Sequence, residues 1–213
     1  MRPVPAAPLR IAGPAGVIEG VVEDPGAPAP EAFAVVCHPN PVQGGTMHNK
    51  VVTTVARALN ARGMPTLRFN YRGVGASEGS FDDGRGETDD ALAIVAEGRR
   101  LWPEARVWLA GFSFGGVVAL RAAAQLQPSP VQLITVAPAL DKYFTSAAEV
   151  PLPACPWLLI QGDADEVLDG AAVLRLARSL PQPPRIAVLP GVGHFFHGKL
   201  VELADTLAAN LPP

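Results

Sequence analysis

The hydrophobic positions of this chain form short runs that alternate with longer helical repeats. Compact apolar runs between turn residues indicate buried strands, and apolar residues spaced three or four apart indicate amphipathic helices. The predicted strands are Phe33–Cys37, Thr66–Phe69, Val107–Ala110, Val131–Val136, Trp157–Ile160 and Arg185–Leu189. The predicted helices are Lys50–Ala61, Asp82–Arg100, Phe114–Leu126, Ala171–Ser179 and Lys199–Leu211.

The order of these segments predicts the fold class. Strands that alternate with helices form parallel sheets, because each helix carries the chain back to the start of the next strand. The segment Ile11–Val22 differs, since Gly13-Pro14-Ala15-Gly16 at its centre predicts a hairpin at an antiparallel edge. The sequence therefore predicts an α/β fold, a three-layer αβα sandwich around a mostly parallel sheet of about seven to eight strands. We expect residues 1–213 to form a single domain, with residues 1–10 as a loose N-terminal segment.

Composition and charge narrow the possible partners. Hydrophobic residues make up 48% of the chain and charged residues 17%, and the net charge is -3. These values are typical of a globular protein. The sequence also lacks the basic runs with interleaved aromatic residues that indicate nucleic-acid binding. No apolar stretch reaches the roughly 18 residues of a membrane span, and the proline-rich N-terminus lacks a signal-peptide core. We expect a cytoplasmic monomer or homodimer that binds a small molecule, with no nucleic acid and no membrane as partner.

The chain has two cysteines, Cys37 and Cys155, each in or beside an apolar run. A domain of this size needs no disulfide for stability, so we expect two buried thiols in a reducing compartment.

Ser113 is the candidate nucleophile. It lies at the centre of Gly111-Phe112-Ser113-Phe114-Gly115, directly between a predicted strand and a predicted helix. This G-x-S-x-G pattern is the nucleophile elbow, in which small neighbours allow a tight, strained turn that exposes the hydroxyl above the sheet. The helix N-terminus then offers the backbone N–H of Phe114 to a developing oxyanion.

A base and an acid are predicted after the last two strands. His194 follows the last strand on a loop that can reach over the sheet edge, and we prefer it to His197, which is nearer the final helix. The strand Trp157–Ile160 is followed by three competing acids, Asp163, Asp165 and Glu166, and a carboxylate there can hold the histidine tautomer. The chain order serine, acid, histidine fits a hydrolase, but spacing alone does not separate Asp163 from Asp165.

The loop after the strand Phe33–Cys37 is the candidate second half of an oxyanion hole. Pro39 and Pro41 have no backbone N–H, so the local donors are His38 and Asn40. We expect Asn40 to be the donor, together with Phe114, and His38 to be a structural residue hydrogen-bonded under the loop.

Two patterns resemble a metal site and a cofactor site, but each lacks a feature that such a site requires. Asp163, Asp165 and Asp169 resemble a calcium loop, but Leu168 stands where that loop requires glycine. The glycine-rich segment 72–79 has neither the spacing nor the helix of a dinucleotide site. We therefore expect no metal and no cofactor, and segment 72–79 is predicted to pack beside the site.

Five short motifs occur together in this chain. They are His38-Pro39-Asn40-Pro41, Gly44-Gly45-Thr46-Met47, Asn49-Lys50-Val51-Val52, Phe69-Asn70-Tyr71-Arg72-Gly73-Val74-Gly75 and Gly111-Phe112-Ser113-Phe114-Gly115-Gly116. From about Ile18 onward the chain resembles the α/β-hydrolase superfamily, and within it the small bacterial serine hydrolases similar to dienelactone hydrolase. The dienelactone hydrolases themselves carry cysteine where this chain has Ser113.

The resemblance implies further properties. It implies the α/β-hydrolase fold and selects Asp165, the last residue of Gly162-Asp163-Ala164-Asp165, as the acid. It also implies no cap domain, since only about twenty residues separate Val136 from Trp157, where the superfamily usually inserts a lid.

The function we expect is hydrolysis of a small carboxylic ester or thioester through an acyl-enzyme on Ser113. The alternatives are other acyl or carbon-carbon bond chemistry on the same triad (thioesterase, peptidase or acyltransferase) and a non-catalytic binding protein on the hydrolase fold.

Overall fold

One sheet of eight strands dominates the structure, a computed structural model that describes residues 4–26 and 29–212. The strands are β1 (Ala6–Gly13), β2 (Gly16–Glu23), β3 (Ala32–Cys37), β4 (Thr66–Phe69), β5 (Arg106–Phe112), β6 (Gln132–Val136), β7 (Trp157–Gly162) and β8 (Arg185–Leu189). The helices are α1 (Lys50–Asn60), α2 (Arg85–Leu101), α3 (Phe114–Gln125), α4 (Leu140–Tyr143), α5 (Gly170–Arg178) and α6 (Leu200–Asn210). Short 3-10 turns lie at Pro41–Gln43 and Ala147–Glu149.

The strand order is β1-β2-β4-β3-β5-β6-β7-β8. Strand β2 pairs antiparallel with both β1 and β4, and all pairings from β4 to β8 are parallel. The predicted mostly parallel sheet with an antiparallel N-terminal edge is confirmed. The hairpin is longer than predicted, however. Residues 6–10, expected to be part of a loose segment, instead belong to β1, and residues 1–3 lie outside the described part of the chain.

Both faces of the sheet are covered, because alternate side chains of each central strand enter different cores. In β3, Phe33 and Val35 pack in one core with residues of α2 and α3, while Ala34 and Val36 pack in the other with residues of α1 and α6. All six residues of β3 are buried, as expected for a strand covered on both faces. The predicted three-layer αβα sandwich is therefore confirmed.

The chain changes direction across the sheet between β3 and β5. From β3 the chain moves to β4 on one side, and it then returns to β5 on the other side of β3. In open α/β sheets, ligands bind outside the carboxyl ends of the strands at such a switch point. The loops after β3 and β5 should therefore form the centre of a site, with the loops after β6, β7 and β8 along the same edge.

The segment between β6 and β7 is short. Within these described residues it contains only the four-residue helix α4 and the 3-10 turn Ala147–Glu149. No cap domain is built from them, as predicted.

The structure bears on two further predictions, the burial of the two cysteines and the absence of a membrane-spanning segment. Cys37 is buried as predicted, but Cys155 is only half-buried. Burial raises the pKa of the Cys37 thiol to about 12, so it remains protonated at neutral pH. None of the helices in the described ranges is both long enough and apolar enough to cross a bilayer.

Candidate active site

Ser113 lies in a strained turn between β5 and α3. Its backbone has φ 55° and ψ -119°, and residues other than glycine rarely adopt a positive φ. The turn is fixed from both sides, because the Ser113 N–H donates to the Val136 carbonyl over 2.9 Å and the Ser113 carbonyl accepts from the Ala139 N–H over 3.2 Å. The hydrogen bonds to neighbouring segments stabilise this strained backbone, as is common at functional turns.

The glycines beside Ser113 allow α3 to approach the sheet closely. A Cβ atom on Gly111 would overlap the carbonyl of Gly115. A Cβ atom on Gly115 would overlap the carbonyl oxygens of Cys37 and His38 at the end of β3. Helix α3 therefore begins in direct contact with the loop after β3, which is possible only without side chains at these two positions.

The ring of His194 connects Ser113 and Asp165. Its Nε2 lies 3.1 Å from the Ser113 hydroxyl oxygen, and its Nδ1 lies 2.9 Å from Asp165 Oδ2. A carboxylate only accepts hydrogen bonds, so Nδ1 carries the proton and Nε2 is the acceptor for the serine O–H. His194 is 3% exposed and Ser113 8% exposed, so both hydrogen bonds are shielded from solvent. The structure thus brings the three predicted residues together in one line.

The carboxylate of Asp165 is held by four donors. Oδ2 accepts from the His194 ring and from Gln161 Nε2 over 2.9 Å each, and Oδ1 accepts from the N–H groups of Val167 and Leu168 over 2.9 Å each. Burial alone would raise the pKa of Asp165, but the hydrogen bonds from His194 and from the two backbone N–H groups outweigh it, and the pKa lies below its ordinary value. The side chain is 1% exposed and stays ionised.

Gln161 was not singled out from the sequence. The only signal was a polar side chain within the apolar strand β7, and its direction depends on where the neighbouring loop lies.

Two further acids hold the backbone that carries His194. Asp163 Oδ1 accepts from the Gly191 N–H over 2.6 Å, and Glu166 Oε2 accepts from the His194 N–H over 3.0 Å. Asp163 thus bonds the histidine loop, whereas Asp165 bonds the ring, which is the choice that spacing alone left open. His197, the rival histidine, is exposed and its ring packs against Phe195, 5.7 Å between centroids.

The two predicted oxyanion donors come from different loops: Phe114 directly follows Ser113, and Asn40 lies on the loop after β3. Asn40 and Phe114 line the same cavity as Ser113, and neither backbone N–H donates a hydrogen bond within the described ranges. The Asn40 side chain is already engaged, since its Oδ1 accepts from the Val42 N–H over 2.8 Å. The part of Asn40 that remains for a ligand is therefore its backbone N–H.

His38 lies beneath this loop. Its Nδ1 donates to the Pro39 carbonyl over 2.7 Å, and its Nε2 accepts from the Tyr71 N–H over 3.1 Å. Burial lowers the pKa of His38 to about 3, against a weaker opposing effect of the Pro39 carbonyl, so the ring is neutral. The prediction of a structural histidine hydrogen-bonded under the loop is confirmed.

The serine turn opens into a cavity of about 460 Å³. Its lining includes residues predicted for the site and others that the sequence did not single out; the latter are Gln43, Asp83, Arg121, Ala139, Lys142, Tyr143, Val167 and Leu168. The signal for one of them was present, because Arg121 is the single charged residue of α3. The segment 72–79 was predicted to pack beside the site, but none of its residues lines this cavity. Its side chains bond instead to β2, through Ser77 and Glu78, and to α2, through Arg72.

Comparisons with known proteins identify the family of this chain and agree with its fold. The family model described as serine aminopeptidase, S33, matches residues 29–153, more than half of the chain. An α/β serine hydrolase homologue from Coxiella burnetii is 40% identical, with a TM-score of 0.90 over 97% of both chains. An α/β serine hydrolase without a lid from Xanthomonas campestris is 44% identical, with a TM-score of 0.88 over 100% of this chain and 98% of that one. A dienelactone hydrolase from Anabaena variabilis shares the fold at 19% identity, with a TM-score of 0.79 over 98% of this chain and 97% of that one.

Proposed function

This chain belongs to the α/β hydrolase superfamily, in the family described as serine aminopeptidase, S33, and we propose that it cleaves a small carboxylic ester or thioester through an acyl-enzyme on Ser113. The observation that carries the proposal is the buried line of two hydrogen bonds from Ser113 through His194 to Asp165. The predicted membership of the superfamily is confirmed by the family model and by the similar structures, while the reaction itself is our proposal.

The first step is attack of the Ser113 oxygen on the ester carbonyl. His194 Nε2 accepts the hydroxyl proton as the oxygen-carbon bond forms, and the carbonyl oxygen becomes an oxyanion. The resulting imidazolium is stabilised by Asp165, whose Oδ2 already accepts a hydrogen bond from the Nδ1–H of His194 over 2.9 Å.

The oxyanion would be bound by the backbone N–H groups of Phe114 and Asn40. Phe114 is the first residue of α3, where backbone N–H groups have no partner in the helix and the helix dipole is positive. Such preorganised donors stabilise the charge that develops in the transition state, and removing one costs about 100- to 1,000-fold in kcat in known cases.

The acyl-enzyme forms when the imidazolium gives its proton to the leaving alcohol or thiol, and the bond from carbon to that group breaks. A water molecule then attacks the acyl carbon while His194 takes one of its protons, and a second collapse releases the acid and restores Ser113. The absence of a cap over the described site supports water as the acceptor, since the cavity is open to solvent.

An aminopeptidase on the same three residues is the second candidate, favoured by the family description. A peptide amino terminus is a cation and needs a carboxylate partner. The cavity lining contains one, Asp83, which already accepts the Tyr143 hydroxyl over 3.3 Å, together with the cations Arg121 and Lys142. This balance of charge supports an ester over an ammonium-bearing substrate.

The test is labelling with a fluorophosphonate probe, followed by assays with p-nitrophenyl esters and with aminoacyl p-nitroanilides. We expect the wild type to be labelled and to hydrolyse the esters, and Ser113→Ala to lose labelling and about 10⁴- to 10⁶-fold in kcat. His194→Ala should behave like Ser113→Ala, whereas His197→Ala, the matched control three residues away, should retain wild-type kcat.

Three results would contradict the proposal in different ways. Faster turnover of anilides than of esters would favour the aminopeptidase. Ester turnover by Ser113→Ala close to that of the wild type would remove Ser113 from the reaction. A folded wild type that neither labels nor turns over would favour the non-catalytic binding protein.

A further inference from the structure

Arg121 is a charged residue with an unusual lack of partners. It lines the cavity into which Ser113 opens, and in the described ranges none of its nitrogens lies within 4.0 Å of a carboxylate oxygen. The one hydrogen bond that it makes within the described part of the chain is long, 3.4 Å from Nη1 to the carbonyl oxygen of Asp83. A guanidinium has five N–H donors, so most of its donors remain available to a ligand.

The guanidinium is nevertheless held in place. Arg121 Cζ lies 5.4 Å from the ring centroid of Tyr143 and 5.6 Å from that of Phe144. Cation–π contacts of this kind fix the orientation of the group without neutralising its charge. The Tyr143 ring also lies 5.7 Å from the Phe114 ring, so the same aromatic group connects Arg121 with the residue after Ser113.

The other charges of the cavity are already partnered. Lys142 Nζ lies 3.4 Å from Asp141 Oδ2, and the Asp83 carboxylate accepts the hydroxyl of Tyr143. Arg121 is therefore the cation of this lining that has no carboxylate oxygen within 4.0 Å in the described ranges.

The distance from Arg121 to the serine suits a small substrate. Arg121 follows Ser113 by eight residues along α3, which corresponds to a rise of about 12 Å. Helical side chains point back toward the N-terminus, so the guanidinium reaches part of the way toward the serine. The cavity volume of about 460 Å³ lies within the range of small-molecule sites, roughly 300 to 1,000 Å³.

We propose that Arg121 binds a carboxylate of the substrate while Ser113 attacks its ester carbonyl, so that the substrate class is small esters that carry a separate negative charge. This inference rests on the proposed esterase function and deepens it. The planar guanidinium can form two parallel hydrogen bonds with a carboxylate, which would also orient the ester over the serine.

The experiment compares charged and neutral esters of matched shape. For an anion on the alcohol side, the pair is 4-acetoxybenzoate and its methyl ester; for an anion on the acyl side, it is mono-p-nitrophenyl adipate and p-nitrophenyl hexanoate. The quantity measured is the ratio of kcat/KM for the charged ester to that for the neutral one. In Arg121→Met, which keeps the length and the packing against the rings, we expect this ratio to fall by about 10- to 100-fold for one of the pairs.

Two further variants separate charge recognition from other effects. Arg121→Lys keeps the charge and should retain an intermediate ratio, because a lysine cannot form the paired hydrogen bonds. Arg100→Gln removes one positive charge at an exposed site, where Arg100 is paired with Glu97, and should leave the ratio unchanged.

The possible failures are distinguishable. If Arg121→Met lowers kcat/KM equally for charged and neutral esters, Arg121 only supports the rings of Tyr143 and Phe144 and the inference is overturned. If the wild type cleaves neutral esters but prefers neither charged one, the anion subsite is rejected and the esterase proposal remains. If no ester is cleaved and Ser113 is not labelled, the proposed function fails and this inference fails with it.

Discussion

His38 shows how one buried side chain can hold the loop that carries a predicted oxyanion donor. Its ring accepts from one segment and donates to another, which is possible only for the neutral form with the proton on Nδ1. Protonation would put a second N–H against the Tyr71 N–H, so the charged ring opposes this arrangement.

The stability of the fold should therefore depend on pH through His38. Its pKa is about 3 when folded, below the ordinary value of 6.5, so the unfolded chain binds a proton more readily. Stability from this residue is fully present above pH 6.5 and is lost as pH falls toward 3. Between pH 7 and pH 5 we expect the wild type to lose about 2 kcal/mol more of its free energy of unfolding than His38→Asn.

The measurement is urea unfolding of both proteins at the two pH values. Because the comparison uses the change with pH in each protein, a general destabilisation by the substitution does not affect it. Equal losses in the two proteins, or an NMR titration of the His38 ring near pH 6.5, would contradict the prediction.

The neighbouring acids Asp163 and Asp165 should differ sharply in their effects. Asp165→Asn leaves the shape intact but can present an N–H to His194 Nδ1, so we expect kcat to fall about 10⁴-fold, as in other triads. Asp163→Ala removes only the hydrogen bond to Gly191, an exposed contact, and should cost about 1 kcal/mol of stability and less than about tenfold in kcat.

Ester kinetics together with thermal unfolding of each variant measure both effects. A loss of kcat in Asp163→Ala as large as that in Asp165→Asn would mean that the histidine is oriented through its loop and not through its ring.

At the scale of elements, compact apolar runs between turn residues are predicted closely, both in the buried strand β4 and in the edge strand β8. Strands β4 and β8 have the predicted bounds, and the core strands differ by a few residues at their ends. The first part of β1, residues 6–10, was missed because residues 6–8 are exposed and Pro8 lies among them, so this part gives no alternating pattern of buried and exposed positions. Helix α2 begins at Arg85 and not at Asp82, because Asp82 Oδ2 accepts from the Gly86 N–H and Gly84 adopts φ 86° before the helix.

The candidate site contains some residues that the local sequence identifies and others that it does not. Ser113 and His194 stand in loops that directly follow strands, so local sequence is sufficient to nominate them. Gln161 and Arg121 were not nominated, because the sequence pattern does not give the direction of their side chains. Gln161 Nε2 reaches Asp165 four residues further on, and Arg121 packs against the rings of Tyr143 and Phe144 in another segment.

The second residue of helix α3, Gly115, should not tolerate a side chain. In Gly115→Ala the new methyl group meets two backbone carbonyls, Cys37 and His38, which cannot rotate away as a side chain could. The loop that carries Asn40 must then shift, and we expect kcat to fall about 100-fold or more, since misplacement by about 1 Å has that effect.

Ala124→Gly on the same helix provides the control. It should cost about 0.5 to 1 kcal/mol of stability and leave kcat unchanged, because it weakens the helix far from the serine turn. Ester kinetics and thermal unfolding of both variants test the idea. Wild-type kcat in Gly115→Ala would mean that the two carbonyls do not constrain the oxyanion loop.

For the whole molecule, the most consequential feature is the short connection between β6 and β7. The described residues there form only α4 and a 3-10 turn, so the cavity beside Ser113 stays open to solvent. A lid that must open at an oil-water interface produces a jump in rate when the substrate exceeds its solubility, and a protein without such a lid has no element to produce it.

We therefore expect the rate on tributyrin to rise smoothly through the solubility limit of the substrate and to saturate hyperbolically. Among p-nitrophenyl esters, short acyl chains should have the highest kcat/KM, because a cavity of about 460 Å³ leaves most of a long chain in water, where it gains nothing from burial. The rate with Ser113→Ala, measured in parallel, gives the background of spontaneous hydrolysis, which is subtracted. A step in rate at the solubility limit, or kcat/KM that increases steadily with chain length, would require an apolar surface that closes over the acyl chain and would contradict an open site.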